Sequence, residues 1–191
     1  MLLALLKQPN FHPEKTQSLQ TITLAGTIVP PDVFAAATDP KLLGAREAVV
    51  VYGMTEGLPI CSSSSMKFMK SHRGAMSLGQ PLPGARVRVC ENGSRLIVAR
   101  GETGELHLSG DMVIGGYLRG DNESFYTDES GDWMATGDQA MIDQEGNIFV
   151  LGRYKDVIIR GGENLSPALI ETCLREAGVT VTRESKFDGR G

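Results

Sequence analysis

A chain of 191 residues holds one domain, or a domain and part of a second. At 41% hydrophobic and 22% charged, with a formal net charge of -4, it has an ordinary globular composition and lacks the basic surplus of a nucleic-acid binder. Its three cysteines, Cys61, Cys90 and Cys173, form no Cys-x-x-Cys pair. That argues against a disulfide framework or zinc site and fits a reducing compartment.

The chain opens on an apolar run, residues 1–6, which Lys7 and Pro9 interrupt. The run is too short to span a membrane and has no basic region ahead of it, so neither a transmembrane segment nor a signal peptide is expected. With no Ser-Lys-Leu at the other end, a cytoplasmic location is expected. Because no capping residue precedes the run, it reads as a helix cut partway.

Residues 19–24 carry apolar side chains at Leu19, Ile22 and Leu24 and predict a strand ending in Ala25-Gly26-Thr27. Pro30-Pro31-Asp32 opens a predicted helix to about Leu43. Residues 47–51 contain Ala-Val-Val-Val, which reads as a buried parallel strand ending in Tyr52-Gly53-Met54-Thr55-Glu56. Strand, helix, strand is a βαβ unit, and open α/β sheets bind ligands at the carboxyl ends of their strands. Gly26, Thr27 and the Tyr52 segment belong there. The Ser-rich residues 61–65 predict a loop, and His72 reads as a solvated loop residue.

From Gly79 the pattern changes to short alternating strands. Val87 and Val89 alternate with arginines, Asn92-Gly93 signals a turn, and residues 96–98 return. Residues 105–109 alternate with Leu106 and Leu108 on one face, and residues 111–117 continue the pattern. Residues 140–142 and 147–151 form a hairpin about a turn at 143–146. This section predicts a small antiparallel sheet or barrel.

The stretch 151–164 then joins a strand, the charged turn Arg153-Tyr154-Lys155-Asp156, an apolar run and a glycine pair. Such a joint suits a hinge between two bodies, and Gly161-Gly162 allows close backbone approach to a ligand. Ser166-Pro167 caps a helix that ends at Gly178. Residues 179–182 read as the start of a strand, and the tail from Arg183 as frayed.

Several side chains suit nucleotide chemistry. Tyr52 offers a flat ring to a base, Thr55 a hydroxyl to a phosphate, and Glu56 a carboxylate to a hard cation such as Mg²⁺. Asp138, in Thr136-Gly137-Asp138, is able to accept two hydrogen bonds from a ribose diol, and Arg153 presents a rigid fork of donors. Singly, each also fits a strand-end turn, a β-turn or a solvated charge cluster; their order along the chain is what gives them weight.

That order resembles the adenylate-forming (AMP-forming) enzyme superfamily. The matching segments are Tyr52-Gly53-Met54-Thr55-Glu56, Gly104-Glu105-Leu106-His107-Leu108-Ser109-Gly110, Thr136-Gly137-Asp138 and Gly152-Arg153-Tyr154-Lys155-Asp156-Val157-Ile158. Gly161-Gly162-Glu163-Asn164, with Pro167, Ile170 and Glu171, is most similar to the acyl-CoA synthetase branch.

The resemblance implies a fold that is α/β plus antiparallel β. Residues 1–153 would be the rear part of an AMP-binding large domain, a βαβ unit with a small β subdomain. Residues 154–191 would be the hinge and the start of a small C-terminal domain. It implies an ATP-dependent acid–thiol ligase that makes acyl-AMP and passes the acyl group to coenzyme A. Gly26 and Thr27 would line the adenine and acyl pocket, Gly53 would lie at the nucleotide, Tyr52 would stack on adenine, and Thr55 would contact the α-phosphate. Glu56 would bind Mg²⁺, Asp138 and Arg153 would hold the ribose, and Lys155 would sit at the hinge. Gly161, Gly162, Glu163 and Asn164 would border the coenzyme A path. Partners would be a small carboxylic acid, the nucleotide, coenzyme A and a complementing chain, with no nucleic acid and no membrane span.

The chain departs from that pattern. Its 191 residues contain no Ser/Thr/Gly-rich loop ending in Pro-Lys-Gly, Lys186 lies in no matching context, and Ala25-Gly26-Thr27-Ile28-Val29-Pro30 replaces a Gly-Gly-x-Pro loop. The sequence thus supports two expectations: a fragment of an acyl-CoA ligase, and a non-catalytic nucleotide-binding or interaction module on the same fold.

Overall fold

The computed structural model describes residues 2–65, 70–156, 158–160, 163–165 and 167–179. Helix α1 (Leu2–Leu6) precedes strand β1 (Thr21–Leu24), helix α2 (Pro31–Thr38) and strand β2 (Glu47–Met54), with β1 and β2 parallel. This is the βαβ unit read from the sequence. The β-branched run makes β2 the middle strand, with Ala48 and Val50 turned into the core. Helix α2 stops at Thr38, short of Leu43, because Pro40 holds Asp39 out of helical backbone, at φ -68 and ψ 119.

Strand β3 (Gly57–Ser64) completes this sheet in the order β1-β2-β3 and runs antiparallel to β2, with Tyr52 opposite Cys61. The loop expected at 61–65 is therefore mostly strand. Its serines hide the pattern, but Ile60 and Cys61 are fully buried, and Ser65 Oγ accepts the Ala48 N–H at 2.8 Å. A short ribbon, β4 (Ser71–His72) with β5 (Ala75–Met76), follows. It sets the His72 ring edge-on to Phe149, so His72 is not a plain solvated loop residue.

The second sheet is antiparallel: β6 (Ala85–Cys90), β7 (Thr103–Gly110), β8 (Phe125–Asp128), β9 (Gly131–Ile142) and β10 (Ile148–Arg153), in the order β10-β9-β7-β6 with β8 on β9. The β9–β10 hairpin is as expected. Asp143 Oδ1 accepts the Glu145 and Asn147 N–H groups, and Gly146 takes φ +88. Residues 111–117 and 96–98 are not strands. They pair with the sheets as isolated bridges, Gly57 to Val113 and Cys90 to Ile97, and not as ladders, because the glycines at 115 and 116 and the turn at 91–94 interrupt the pairing.

One core joins the two sheets: Val50, Ile60 and Leu78 pack in the same cluster as Leu106, Leu108, Met134 and Ile148. After β10 a 3-10 turn, Tyr154–Asp156, leads to the ribbon β11 (Ile158–Arg160) and β12 (Glu163–Leu165) and to helix α3 (Pro167–Glu176). Gly178 closes α3 at φ +78, with the Val179 N–H on Leu174 O at 2.9 Å. The expectations for Gly161, Gly162, Ser166 and residues 180–191 lie outside the described residues. Among the described residues no helix is long and apolar enough to cross a membrane.

Candidate functional site

The carboxyl ends of β1 and β2 face β10 across a cleft of about 350 Å³. That lies at the small end of the range for small-molecule sites, roughly 300–1,000 Å³. Its lining combines apolar side chains, Ile28, Val51, Met54, Met76, Leu78 and Val150, with the polar Tyr52, Asp138, Arg153 and Asp156.

Asp138 is the fixed point. Its side chain is 7% exposed and both oxygens are engaged. Oδ2 accepts the Tyr52 hydroxyl at 2.6 Å and Oδ1 accepts Arg153 Nε at 2.9 Å. Arg153 stands directly across the β9–β10 ladder, so strand pairing itself delivers the guanidinium. Burial, then the charge of Asp138, pushes the Tyr52 phenol far above its ordinary pKa, so it remains a donor. A carboxylate has about four lone-pair sites. Asp138 therefore keeps acceptor capacity toward a ligand diol.

Gly26, at φ +82, Thr27 and Gly53 also line the cleft. Gly53 has a packing reason as well: a Cβ there would meet Leu58 Cδ1 at 2.4 Å and Gly57 O at 2.9 Å. The structure thus brings together Gly26, Thr27, Tyr52, Gly53, Asp138 and Arg153, residues up to 127 positions apart, from the ends of β1, β2 and β10 and the middle of β9.

Thr55, Glu56 and Lys155 do not line this cleft. Thr55 and Glu56 form the turn after β2, where Glu56 Oε1 accepts the Tyr117 hydroxyl and Glu56 O accepts the Ile114 N–H. Lys155 is exposed on the 3-10 turn, and its neighbour Asp156 lines the cleft instead. Glu163 and Asn164 pair with Arg160 and Ile159 in the β11–β12 ribbon. Among the described residues no three His, Cys, Asp or Glu side chains converge on a metal site. A single carboxylate such as Glu56 still fits Mg²⁺, which binds by one or two carboxylates plus substrate phosphates and water.

Sequence reasoning missed part of the apolar lining, Met76 of β5 and Leu78 after it, in a segment that carries no periodic signal. It also missed the support behind Asp138. Gly137 N–H donates to Glu105 Oε1 at 3.0 Å, Asp138 N–H to Thr136 Oγ1 at 3.0 Å, and Thr136 Oγ1 to Leu106 O at 2.8 Å. Glu105 Oε2 accepts the Gly93 N–H at 3.2 Å and lies 3.6 Å from His107 Nε2, a nitrogen without a hydrogen-bond partner.

The mixed sheet joined to an antiparallel one matches solved structures of adenylate-forming enzymes. ATP-bound MatB from Rhodopseudomonas palustris aligns with a TM-score of 0.70 at 28% identity, covering 90% of this chain and 33% of that one. O-succinylbenzoate coenzyme A synthetase (MenE) from Bacillus subtilis, in complex with ATP and magnesium ion, aligns at 0.69 and 30%, covering 93% and 35%.

The sequence profile described as AMP-binding enzyme matches residues 1–118. The putative acyl-CoA synthetase YngI of Bacillus subtilis (strain 168) is 32% identical over 174 residues, 91% of this chain and 31% of the relative. The mitochondrial medium-chain acyl-CoA ligase ACSF2 of Mus musculus is 32% identical over 173 residues, 90% and 27%. The chain belongs to the AMP-binding enzyme family, in its adenylate-forming acyl-CoA synthetase branch. It spans about 30% of the length of these two relatives.

Proposed function

We propose that this chain supplies the nucleoside-holding part of an ATP-dependent acid–thiol ligase. In the first half-reaction a carboxylate oxygen attacks the α-phosphorus of ATP and pyrophosphate leaves. In the second, the thiolate of coenzyme A attacks the acyl carbon and AMP leaves. A carboxylate oxygen is a poor leaving group and AMP a good one, which is why the acid is activated first.

The observation that carries this reading is the Asp138 carboxylate, held on the cleft wall by Tyr52 and Arg153. Tyr52 presents its ring to adenine, Asp138 accepts the ribose hydroxyls, and Gly26, Thr27 and Gly53 border the base. Thr55 takes the α-phosphate, and Glu56 would hold Mg²⁺, which would supply charge neutralisation to the phosphates. The turn bearing Lys155 is the hinge, residues 154–191 begin the small domain, and Gly161, Gly162, Glu163 and Asn164 border the thiol's path. A complementing chain would supply the segments that the longer relatives carry.

The alternative, a non-catalytic nucleotide-binding module, is favoured by one observation: among the described residues that line the cleft the one cation is Arg153, and its Nε is committed to Asp138. Calorimetry with AMP tests what the two readings share. Binding is expected, and Asp138→Ala and Tyr52→Ala are each expected to abolish it. A chain that binds no AMP at millimolar concentration, or whose binding survives both substitutions, overturns it.

A further inference from the structure

We propose that Glu105 is a positioning residue of the ribose subsite: it touches no ligand and sets the aim of Asp138 through the Gly137 amide. The inference rests on the reading of Asp138 as the ribose acceptor.

The β7–β9 ladder is interrupted where Asp138 sits. Between paired positions β7 advances from Glu105 to His107, while β9 runs from Gln139 back to Ala135. Thr136, Gly137 and Asp138 on β9 thus lie opposite Leu106 alone, two residues in excess, so the Thr-Gly-Asp segment is a bulge. Bulges re-aim side chains, and they cost the extra residues their ladder hydrogen bonds. Here those bonds are replaced from behind. Thr136 Oγ1 bonds Leu106 O and takes the Asp138 N–H, and Glu105 Oε1 takes the Gly137 N–H at 3.0 Å. Gly137 sits at φ +72 with nothing within 4 Å of a Cβ position, so hydrogen bonds and not packing hold that peptide.

Glu105 is dedicated to this task. It is 8% exposed, and a buried charge is costly unless hydrogen bonds satisfy it. Its two oxygens go to backbone N–H groups, Gly137 on one side and Gly93 on the other, with His107 Nε2 beside the second. It does not line the cleft. Removing its acceptor frees the Gly137 peptide, the only covalent link between Thr136 and Asp138, and lets the carboxylate wander from the diol.

The test compares AMP with 2′,3′-dideoxy-AMP, which lacks both ribose hydroxyls, by competition calorimetry on the full chain. Wild type is expected to prefer AMP by about 10- to 100-fold, the usual worth of hydrogen bonds to a charged acceptor, and Asp138→Ala to erase the preference. Wild type that shows no preference, or binds neither nucleotide, removes the ribose reading and this proposal with it. Given that preference, Glu105→Ala is expected to weaken AMP by about fivefold or more and leave dideoxy-AMP within about twofold. Glu105→Gln keeps an oxygen for Gly137 and is expected to restore the preference.

A merely structural role would weaken both nucleotides alike, and that result overturns the proposal. So does Glu105→Ala with unchanged preference, or Glu105→Gln with none. Should the alanine chain not fold, Glu105→Met, which fills the space without an acceptor, takes its place. The wild-type chain adds a check free of variants: a scalar coupling between the Gly137 amide nitrogen and the Glu105 carboxylate carbon is expected, and its absence counts against the proposal.

Discussion

Tyr52 does two things with one side chain: its ring lines the cleft and its hydroxyl holds Asp138 Oδ2 at 2.6 Å. Tyr52→Phe keeps the first and removes the second. A hydrogen bond to a charged group contributes about 1.5–3 kcal/mol, so the phenylalanine chain is expected to lose about that much stability in urea denaturation. A loss below about 0.5 kcal/mol would mean that Arg153 alone satisfies the carboxylate. That Tyr52, Asp138 and Arg153 share a site was legible from motif order and strand-end position. The hydroxyl–carboxylate bond was not, because it joins residues 86 apart and depends on how two sheets face each other. Glu105 was hidden for another reason. Alternation makes Leu106 and Leu108 the inward face of β7 and leaves Glu105, His107 and Ser109 for solvent. In the fold all five are buried, because Arg88, stacked 3.9 Å from the Trp133 ring centroid and 5.5 Å from that of Tyr126, roofs the other face.

Strand β3 shows how an element escapes notice. Its serines suggest a loop, yet the backbone pairs with β2 through Val49, Val50, Val51 and Tyr52, and backbone pairing does not need apolar side chains. Ile60, at 0% exposure, distinguishes the two possibilities. In a surface loop Ile60→Ala costs roughly 0.5 kcal/mol or less; in this core it is expected to cost about 2–5 kcal/mol by denaturant titration. Carboxyls on β7 and β8 add a pH dependence. His107, with the Gly93 and Gly137 amides, holds the Glu105 carboxyl below the usual range, and Ser130 and Arg88 do the same for Asp128. A depressed folded pKa contributes stability that is complete above the unfolded value, about 4 for these carboxyls, and is lost as pH falls through the folded one. The thermal midpoint is therefore expected to drop steeply below about pH 4, and the drop to be shallower in Glu105→Gln. An acid limb of identical slope in the two chains would remove Glu105 from that account.

For the molecule as a whole, the balance of charge in the cleft decides what the chain does with a nucleotide. Among the described residues that line it, Arg153 is the one cation, and its Nε is committed to Asp138; Asp138 and Asp156 are anions. The base and ribose have partners there, whereas the β- and γ-phosphates meet no cationic cluster, and the 191 residues hold no Pro-Lys-Gly loop to provide one. Charge developing on pyrophosphate as it leaves must be stabilised, and one missing preorganised donor costs about 3–4 kcal/mol, or roughly 10²–10³ in rate. Two outcomes are expected of this chain. In the presence of Mg²⁺, ATP binds no more tightly than AMP, since its extra phosphates find no partners. Carboxylate-dependent pyrophosphate exchange, tried over a panel of fatty and aromatic acids, stays at background. Tenfold tighter binding of ATP would reveal a phosphate site that the cleft does not display. Exchange above background that Asp138→Ala abolishes would make the 191-residue chain a ligase in its own right, with its leaving-group stabilisation drawn from Arg153 and metal alone.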